Sequence, residues 1–450
     1  MLKKEIIEKY NVPSPRYTSY PTILDWNHLS MEPKVFQNEF IRTEKGKNHS
    51  TSVYIHIPFC ESLCTFCGCH KHITKNHTVE QPYIDALIKE WELYEKLNGG
   101  PIEVSELYLG GGTPTFFQAN ELKRLVVRIT KHRASNIHFS VEGHPNHTTE
   151  EQMQVLYDLG FRRISFGVQD YSPVVQKAIN RIQTFEQVKS VTETARKIGY
   201  TSISHDLVFG LPMQHIDDME DSIEKTIKLK PDTISLYSYA HVPWVKGTGQ
   251  RGFSKEDLPT SDEKRALYEY AKRALISAGY LEIGMDHFGL PTEALTQAMQ
   301  SGKMNRTFMG YTTSATQRTI GLGASAISEY DFGYAQNVKS IKEYHKRINN
   351  NQLPVFKGHI HTYLDKSLKK HILSLMCNFE TKYCPNSYIE QNLNNFAPAF
   401  EEFEKDGILE WKNGHLKITK DGQPFVRNVC MTFDPYALQK AEKPRFSKSV

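Results

Sequence analysis

The chain has 450 residues, and its 39% hydrophobic and 24% charged residues are typical of a globular protein rather than a disordered one. The formal net charge of +4 is small for this length, so we expect no nucleic-acid partner, although the charge would not repel an anionic small molecule. The sequence has no run of about 18 apolar residues and no signal-peptide core near its N-terminus, which predicts a cytoplasmic protein without a membrane span.

Residues 50–240 alternate between short β-branched runs and longer segments of helical period, the pattern of repeated strand–helix units with parallel strands. Apolar residues at helical spacing from 122 to 129 predict one helix face, and Thr149 with Gln152 and Thr184 with Gln187 match the capping-box spacing at two helix starts. Such units predict an α/β fold with a parallel barrel, complete or partial, whose reactive residues lie at the C-terminal ends of the strands. The predicted strands span residues 53–57, 106–109, 137–141, 163–168, 202–207 and 233–237.

The pattern changes after residue 250. Residues 250–340 are less regular, with a predicted helix at 262–278 and a glycine-rich turn at 321–323. Predicted helices at 366–376 and 400–405 then precede a hairpin that turns at Asn413-Gly414. This order predicts a small, mostly helical, winged-helix-like C-terminal domain. We interpret it as a packing module, with a DNA-binding module as the alternative, because no basic recognition face is evident. The expected domains are an N-terminal segment at 1–48 that packs over the active site, a barrel domain at 49–355 and a C-terminal domain at 356–450.

A cluster of cysteines follows the first predicted strand. Of the seven cysteines, Cys60, Cys64, Cys67 and Cys69 lie within ten residues, which indicates metal chemistry rather than a disulfide framework. The first three have a spacing that suits three corners of an iron–sulfur cluster and leaves one iron open. A zinc site that uses Cys69 or His70 as its fourth ligand is the alternative, but no second Cys-x-x-Cys pair lies downstream, which favours the cluster. We predict that Cys69 is not a ligand.

The spacing Cys-x-x-x-Cys-x-x-Cys resembles the signature of the radical S-adenosylmethionine (SAM) superfamily, whose members use partial parallel barrels, here a partial (β/α)6 barrel. Further motifs extend the resemblance over nearly the whole chain to the oxygen-independent coproporphyrinogen III oxidase family. The haem-chaperone-like relatives typically lack the segment at 15–22 and the extra Cys69, although a haem-binding or haem-degrading relative remains the alternative. The motifs lie at 15–22, 67–69, 110–115, 167–170, 286–288 and 427–431.

The resemblance implies a reaction and its cofactors. The family converts two propionate side chains of coproporphyrinogen III to vinyl groups, giving protoporphyrinogen IX in haem biosynthesis, by means of a 5′-deoxyadenosyl radical. A 4Fe-4S cluster held by Cys60, Cys64 and Cys67 and two SAM molecules are implied, as is an unidentified reductant such as flavodoxin or ferredoxin. Because oxygen destroys such clusters, we expect anaerobic or microaerobic function. We also expect a monomer.

The resemblance also assigns residues to the two SAM molecules. Three of these assignments, Gly111, Gly112 and Glu142, have a physical reason of their own. The glycines lack a β-carbon, so their backbone can approach a ligand closely. Glu142 ends the third predicted strand, where its carboxylate could bind an amine or ribose, or could equally be a solvated strand end. The first SAM is assigned Tyr54, Gly111, Glu142, Ala240 and Ile327, and the second Phe66, Gly112, Thr113, Gln169, Arg181 and Asp206.

Substrate contacts are harder to predict. A macrocycle with four carboxylates needs a pocket of aromatic side chains and cations. The candidates are Arg16, Tyr17 and Phe308, and Tyr20 and Arg318 also fit this need. The sequence departs from the family at Met309, where the family has glutamine, and this puts one polar contact near the active site in doubt.

Overall fold

The computed structural model describes residues 4–28, 31–47, 49–243, 249–384, 386–437 and 446–448. The strands are β1 Thr51–Ile57, β2 Phe59–Cys60, β3 His72–Ile73, β4 Val104–Gly111, β5 Arg133–Gly143, β6 Phe161–Gln169, β7 Ser202–Phe209, β8 Thr233–Ser238, β9 Leu281–Ile283, β10 His287–Gly289, β11 Asn305–Thr307, β12 Gly310–Thr312, β13 Arg318–Leu322, β14 Ile327–Tyr330, β15 Gly333–Asn337, β16 Val355–Ile360, β17 Glu380–Lys382, β18 Leu409–Lys412 and β19 His415–Ile418. The helices are α1 Lys4–Tyr10, α2 Pro33–Thr43, α3 Glu80–Asn98, α4 Ala119–Ile129, α5 Glu150–Asp158, α6 Pro173–Ala178, α7 Phe185–Ile198, α8 Ile216–Leu229, α9 Ser261–Ser277, α10 Ala294–Gln300, α11 Ile341–Asn349, α12 Tyr363–Asn378, α13 Tyr388–Gln391, α14 Leu393–Lys405 and α15 Val426–Thr432.

The largest sheet has twelve strands in the order β16-β15-β14-β13-β1-β4-β5-β6-β7-β8-β10-β9. Strands β1, β4, β5, β6, β7 and β8 follow chain order, pair in parallel and are connected by helices. They overlap the predicted strands, so the predicted parallel α/β unit is confirmed. Because the order ends at β16 and β9 instead of closing on itself, the barrel is partial.

The parallel strands separate apolar from polar side chains. In β4, Leu107 and Leu109 are fully buried, whereas the alternating Glu106 and Tyr108 are partly exposed. Successive side chains of a strand point to opposite faces, so the apolar set packs against the helices and the other set lies inside the partial barrel. The barrel therefore has a polar interior, and this interior contains the candidate site.

Local sequence signals set the helix ends. Thr149 with Gln152 and Thr184 with Gln187 form the predicted capping boxes at the starts of α5 and α7. Gly199 ends α7 in the left-handed region, with φ of 113°, where a side chain would be strained. None of the helices in the described part of the chain combines the length and apolarity that a bilayer crossing needs.

Residues 281–360 depart from the expectation. The helix expected at 262–278 is present as α9, but the antiparallel strands at both edges of the sheet are not predicted by the sequence pattern. The prediction of a glycine-rich turn at 321–323 is also wrong in part, because Gly321 lies within β13. A β-carbon on Gly321 would lie 2.4 Å from the Ile327 carbonyl oxygen, so the glycine lets β14 approach β13 closely.

The C-terminal residues form a separate hydrophobic cluster. Helices α12, α14 and α15 pack with a three-stranded sheet in the order β17-β19-β18. The predicted hairpin is present, and both Asn413 and Gly414 have positive φ, of 52° and 73°, as its tight turn requires. The same cluster contains Tyr10, Tyr17 and Tyr20 from the N-terminal segment. The N-terminal segment therefore contributes to the C-terminal core.

Candidate active site

The parallel strands surround a cavity of about 540 Å³, referred to below as the central cavity. Its lining combines the cysteine loop with the C-terminal ends of β4 to β8 and polar residues from deeper inside the barrel. The ends of parallel strands meet at one edge of the sheet, so residues far apart in sequence face one space. The structure thus places the loop and the strand ends in a single site.

The cysteine loop is fixed at both of its ends. Pro58 ends β1, and β2 pairs in parallel with β3, with Phe59 opposite His72. Cys60, Cys64 and Cys67 all line the central cavity. Within the loop, the Cys67 N–H donates to the Cys64 carbonyl oxygen at 3.3 Å. The short strand pair therefore presents all three thiols to the same cavity.

Two polar side chains contact the thiols directly. Thr113 Oγ1 lies 3.4 Å from Cys60 Sγ, and Arg181 Nη1 lies 3.6 Å from Cys64 Sγ. Burial raises the pKa of Cys60 to about 11, whereas a hydrogen bond with Cys69 lowers the pKa of Cys67 to about 6. Iron binds cysteine as the thiolate, and hydrogen bonds to sulfur stabilise that form. The hydrogen bonds to Cys60 and Cys64 and the lowered pKa of Cys67 therefore favour thiolate ligands, whereas the burial of Cys60 opposes its ionisation.

The donor set also fits the group that the cysteine spacing predicts. Among the described residues, no three Cys, His, Asp or Glu side chains are arranged to hold a single metal ion. A cubane cluster takes each thiolate at a separate corner, so its ligands need not converge on one point. Gly112 borders the loop so closely that a β-carbon there would lie 2.9 Å from Cys60 Sγ. Cys60, Cys64 and Cys67 thus offer three thiols that line one cavity.

Glu142 links the end of β5 to the end of β4. Its carboxylate accepts hydrogen bonds from Tyr108 Oη at 2.8 Å and from the Gly111 N–H at 3.2 Å. Burial raises the pKa of Glu142 to about 7, although the Tyr108 hydrogen bond opposes the shift. Gly111 has φ of 120°, and a β-carbon there would lie 2.8 Å from the His56 ring. Glu142 is therefore a half-buried carboxylate held in place by two hydrogen bonds, and not a solvated strand end.

Three further polar residues line the same cavity. They are Gln169 at the end of β6, Arg181 in the segment that follows α6, and Asp206 in β7. Gln169 has a positive φ of 69°, which is uncommon for a residue other than glycine. Arg181 donates to the Gly167 carbonyl oxygen, while its Nε is buried without a hydrogen-bond partner among the described residues. Asp206 accepts a hydrogen bond from Ser165, and burial raises its pKa. These polar groups are available to a ligand in the cavity.

Most of the residues assigned to SAM by resemblance lie together. Tyr54 and Ile327 are the exceptions in the assigned set. Tyr54 Oη lies 2.9 Å from His56 Nδ1, outside the lining, and Ile327 packs with Trp26. The Ala240 carbonyl oxygen accepts a hydrogen bond from Gln250 at 2.7 Å. The assigned residues that line the central cavity are Phe66, Gly111, Gly112, Thr113, Glu142, Gln169, Arg181, Asp206 and Ala240.

The substrate candidates are dispersed. Arg16 pairs with Asp286 and lies over the ring of Tyr237 at 5.7 Å, outside the lining of the central cavity. The prediction that Tyr17 contacts the substrate is corrected. Its side chain is 1% exposed within the C-terminal core and donates to Asp434 at 3.0 Å. Phe308 packs beside Trp26, whereas its neighbours in sequence reach the cavity.

Two further candidates are also corrected. Tyr20 is fully buried, and its hydroxyl lies 3.4 Å from the Phe433 carbonyl oxygen. Arg318 is buried at the start of β13, where it donates to Thr51 Oγ1 at 2.9 Å and lies 3.7 Å from Glu44. Thr51 begins β1, so Arg318 is at the end of the barrel opposite the cysteine loop. Neither side chain lines the central cavity.

Several lining residues were not predicted. Tyr108, Tyr237 and His287 contribute aromatic surface, and Met309 lies in the lining where the family has glutamine. The signal for the two tyrosines was present in the sequence, because they alternate with buried apolar residues in β4 and β8. His287 had no such alternation around it, because its strand was not predicted, and its only signal was its place in the motif at 286–288.

Comparisons with known proteins agree with this geometry. Residues 54–226 match the model of the radical SAM superfamily. Over 99% of its length the chain is similar to the oxygen-independent coproporphyrinogen III oxidases of Helicobacter pylori strain 26695, at 37% identity over 99% of that protein, and Pseudomonas aeruginosa, at 35% over 98%. It is also similar to the solved structure of coproporphyrinogen III oxidase from Escherichia coli, a radical SAM enzyme, with a TM-score of 0.89, 32% identity and coverage of 97% of this chain and 99% of that one.

Proposed function

This chain belongs to the oxygen-independent coproporphyrinogen III oxidases of the radical SAM superfamily, and we propose that Cys60, Cys64 and Cys67 hold its 4Fe-4S cluster. The chain is an enzyme that carries out the oxygen-independent oxidative decarboxylation of coproporphyrinogen III in haem biosynthesis. The observation that carries the residue assignment is the single cavity that the three thiols share with the strand ends.

The cluster and SAM, when bound, supply a 5′-deoxyadenosyl radical that abstracts hydrogen from a propionate arm. The contribution of the chain is to position ligands and exclude water. Thr113 and Arg181 donate toward the sulfurs of Cys60 and Cys64, which stabilises the thiolates. A cluster held by these three thiols would border the central cavity, which the strand ends also line.

The first SAM is proposed to lie beside Gly111 and Glu142. Tyr108 and the Gly111 N–H hold the Glu142 carboxylate in place, and Gly111 is confined to glycine because a β-carbon would meet the His56 ring and the Ile57 carbonyl oxygen. A carboxylate at this position can accept hydrogen bonds from an amine or a ribose hydroxyl. Tyr54, Ala240 and Ile327 are also proposed to contact the first SAM, and this part of the proposal depends on the family resemblance alone.

Glu142→Gln is expected to raise the KM for SAM by about tenfold to a hundredfold, because a hydrogen bond to a charged group contributes about 1.5–3 kcal/mol. SAM cleavage measured anaerobically against SAM concentration gives this value. Glu103→Gln is the matched control, since Glu103 is exposed just before β4. Equal SAM affinities in the two variants would contradict the role of Glu142.

A second SAM is proposed to contact the other group of assigned residues. Arg181 and Asp206 both line the central cavity and bring opposite charges to it, as a zwitterionic ligand requires. Phe66 adds apolar surface from the cysteine loop. Gly112, Thr113 and Gln169 are the remaining proposed contacts.

Asp206→Asn is expected to lower the number of SAM molecules bound per chain from two toward one, because it removes the negative charge facing the second ligand. Anaerobic equilibrium dialysis of the reconstituted protein with labelled SAM measures this number. Asp217→Asn, at an exposed position in the first turn of α8, is the control. A value of one for the parent protein would contradict the second site.

We further propose three domains, a reductant of the flavodoxin or ferredoxin type, a monomeric state and a cytoplasmic location. The domain limits are 1–48, 49–355 and 356–450, and the separate hydrophobic clusters of the barrel and the C-terminal residues support the second limit. The N-terminal segment is proposed to cover the active site through Arg16, although its tyrosines lie in the C-terminal cluster.

An anaerobic assay tests the whole proposal. Reconstituted protein with reductant, SAM and coproporphyrinogen III is expected to produce protoporphyrinogen IX. Absence of product from a protein with an intact cluster would contradict the activity. Haem binding without turnover would favour a haem-handling relative instead.

A further inference from the structure

The motif at 286–288 places an aspartate and a histidine at the start of β10. His287 pairs with Ser235 of β8, and its side chain is 15% exposed and lines the central cavity. The side chain of Asp286 is 8% exposed and lies outside the lining of that cavity. A ligand in the central cavity can therefore reach the imidazole but not the carboxylate.

The contact between these two side chains fixes the tautomer of His287. Its Nδ1 lies 2.6 Å from Asp286 Oδ1, while Asp286 Oδ2 accepts a hydrogen bond from Arg16. Burial alone would raise the pKa of Asp286, but Arg16 and His287 outweigh it and hold the pKa below its usual range. An ionised carboxylate only accepts hydrogen bonds, so His287 Nδ1 must donate. Nε2 is therefore the ring nitrogen left for a ligand, and in the neutral imidazole it is an acceptor.

Aromatic packing fixes the plane of the imidazole. The centroid of the His287 ring lies 5.7 Å from that of Tyr237 and 5.5 Å from that of Tyr311, with interplanar angles of 87° and 88°. Tyr311 is itself held by its hydroxyl, which donates to the Met376 carbonyl oxygen at 3.0 Å. Among the described residues, none is hydrogen-bonded to His287 Nε2. A fixed ring thus keeps one acceptor free for a ligand.

The N-terminal segment is connected to the same group. Arg16 pairs with Asp286 and lies outside the lining of the central cavity. The buried Arg306 donates to the carbonyl oxygens of Arg16 at 3.1 Å and Tyr17 at 3.2 Å, which holds the segment in place. Arg16 therefore acts on the central cavity through Asp286 and His287.

The surroundings of His287 favour the macrocycle as its ligand. Tyr237 and Tyr311, which contact it, also line the central cavity, and aromatic surface suits the apolar rings of a tetrapyrrole. Every ring of coproporphyrinogen III carries a pyrrole N–H, a donor that needs an acceptor once it leaves water. Asp206 also lies near, since burial raises its pKa and His287 opposes the shift. The amino group of the second SAM is therefore the alternative donor.

We propose that His287 is a substrate-binding residue whose Nε2 accepts a hydrogen bond from a pyrrole N–H of coproporphyrinogen III, and that Asp286 and Arg16 are positioning residues for it. This inference rests on the proposed function. The pyrrole nitrogens surround the middle of the macrocycle, whereas the propionates are attached to its rim. His287 therefore holds the ring in place and takes no part in the decarboxylation itself.

His287→Met is expected to raise the KM for coproporphyrinogen III by about fivefold to a hundredfold, because a buried pyrrole N–H is left without an acceptor. We expect kcat to fall less than KM rises, and the KM for SAM to change little by comparison. His287→Gln introduces a side chain of the same length with an amide oxygen, and it is expected to recover part of the affinity. His132→Met, at an exposed position just before β5, is the matched control.

A double-mutant cycle tests the role of Asp286. Asp286→Asn supplies an amide that can donate to Nδ1, so the imidazole can present an Nε2–H to the ligand instead of an acceptor. It is expected to weaken substrate binding by about fivefold or more in the parent background, but to have little further effect in His287→Met. An equal loss of binding in both backgrounds would mean that Asp286 is merely structural, and would overturn its positioning role.

Direct binding separates this inference from the activity itself. Anaerobic ultrafiltration without reductant measures the coproporphyrinogen III bound to each variant, and the thermal unfolding midpoint identifies a variant that fails to fold. If His287→Met unfolds, His287→Ala provides the same comparison.

Parent-like substrate binding by a folded His287→Met protein would overturn the proposal, and so would a larger effect on the KM for SAM than on that for the substrate. Rescue by His287→Lys but not by His287→Gln would indicate a bound carboxylate and would overturn the acceptor role. Absence of turnover by a parent protein that binds the substrate through His287 would instead count against the proposed function.

Discussion

Replacing Cys60, Cys64 or Cys67 with serine is expected to abolish turnover and to remove most of the cluster iron. Each thiol faces the central cavity, and a serine hydroxyl is a poor substitute for thiolate at iron. Loss of any one ligand leaves an iron corner unheld, so the three variants should behave alike. Iron and sulfide analysis, the electron paramagnetic resonance signal of the reduced protein and SAM cleavage together measure the effect.

Two further cysteines provide the contrast. Cys69→Ser is expected to retain cluster iron, because Cys69 contacts Cys67 but is not a proposed ligand. Cys384→Ser replaces an exposed cysteine in the C-terminal region and is expected to match the parent in iron content and turnover. An equal loss of iron in Cys69→Ser would overturn the ligand assignment. Parent-like iron content in Cys64→Ser would do the same.

The sequence was sufficient to predict the elements that local patterns determine. The parallel strands follow from short apolar runs separated by helical segments, and the predicted capping boxes form where Thr149 and Thr184 precede α5 and α7. The cysteine loop was also predictable, since its spacing is local. What these features share is that each depends on residues only a few positions apart.

Features that depend on distant contacts were not predictable. Tyr17 and Tyr20 resemble substrate contacts in sequence, but they are buried in the C-terminal core more than 340 residues away along the chain. Arg318 looks like a pocket cation, yet its partners are Thr51 and Glu44 at the opposite end of the barrel. Charge and aromatic character in a sequence do not specify which cavity a side chain faces.

Gly112→Ala is expected to lower turnover by about a hundredfold or more and to reduce cluster iron. A β-carbon on Gly112 would lie 2.7 Å from the Pro58 carbonyl oxygen and 2.9 Å from Cys60 Sγ. The Pro58 oxygen belongs to the backbone, so it cannot move aside as a flexible side chain could. The Gly112 N–H donates to the Ile57 carbonyl oxygen at 2.8 Å, and Thr113 to Phe59 at 3.0 Å, so relief of the clash must displace the cysteine loop. A displacement of about 1 Å at reacting groups can cost about a hundredfold in rate.

Gly100→Ala is the matched control for this variant, because a β-carbon at Gly100 meets nothing within 4 Å. It is expected to retain parent-like iron content, turnover and thermal unfolding midpoint. Loss of activity by global unfolding alone would appear as a greatly lowered unfolding midpoint of the apo form of Gly112→Ala. We expect instead that this apo form keeps its secondary structure, because the clash is confined to one turn. Full iron content and turnover in Gly112→Ala would mean that the cysteine loop tolerates movement at Pro58, and the close packing would then have no role in holding the cluster.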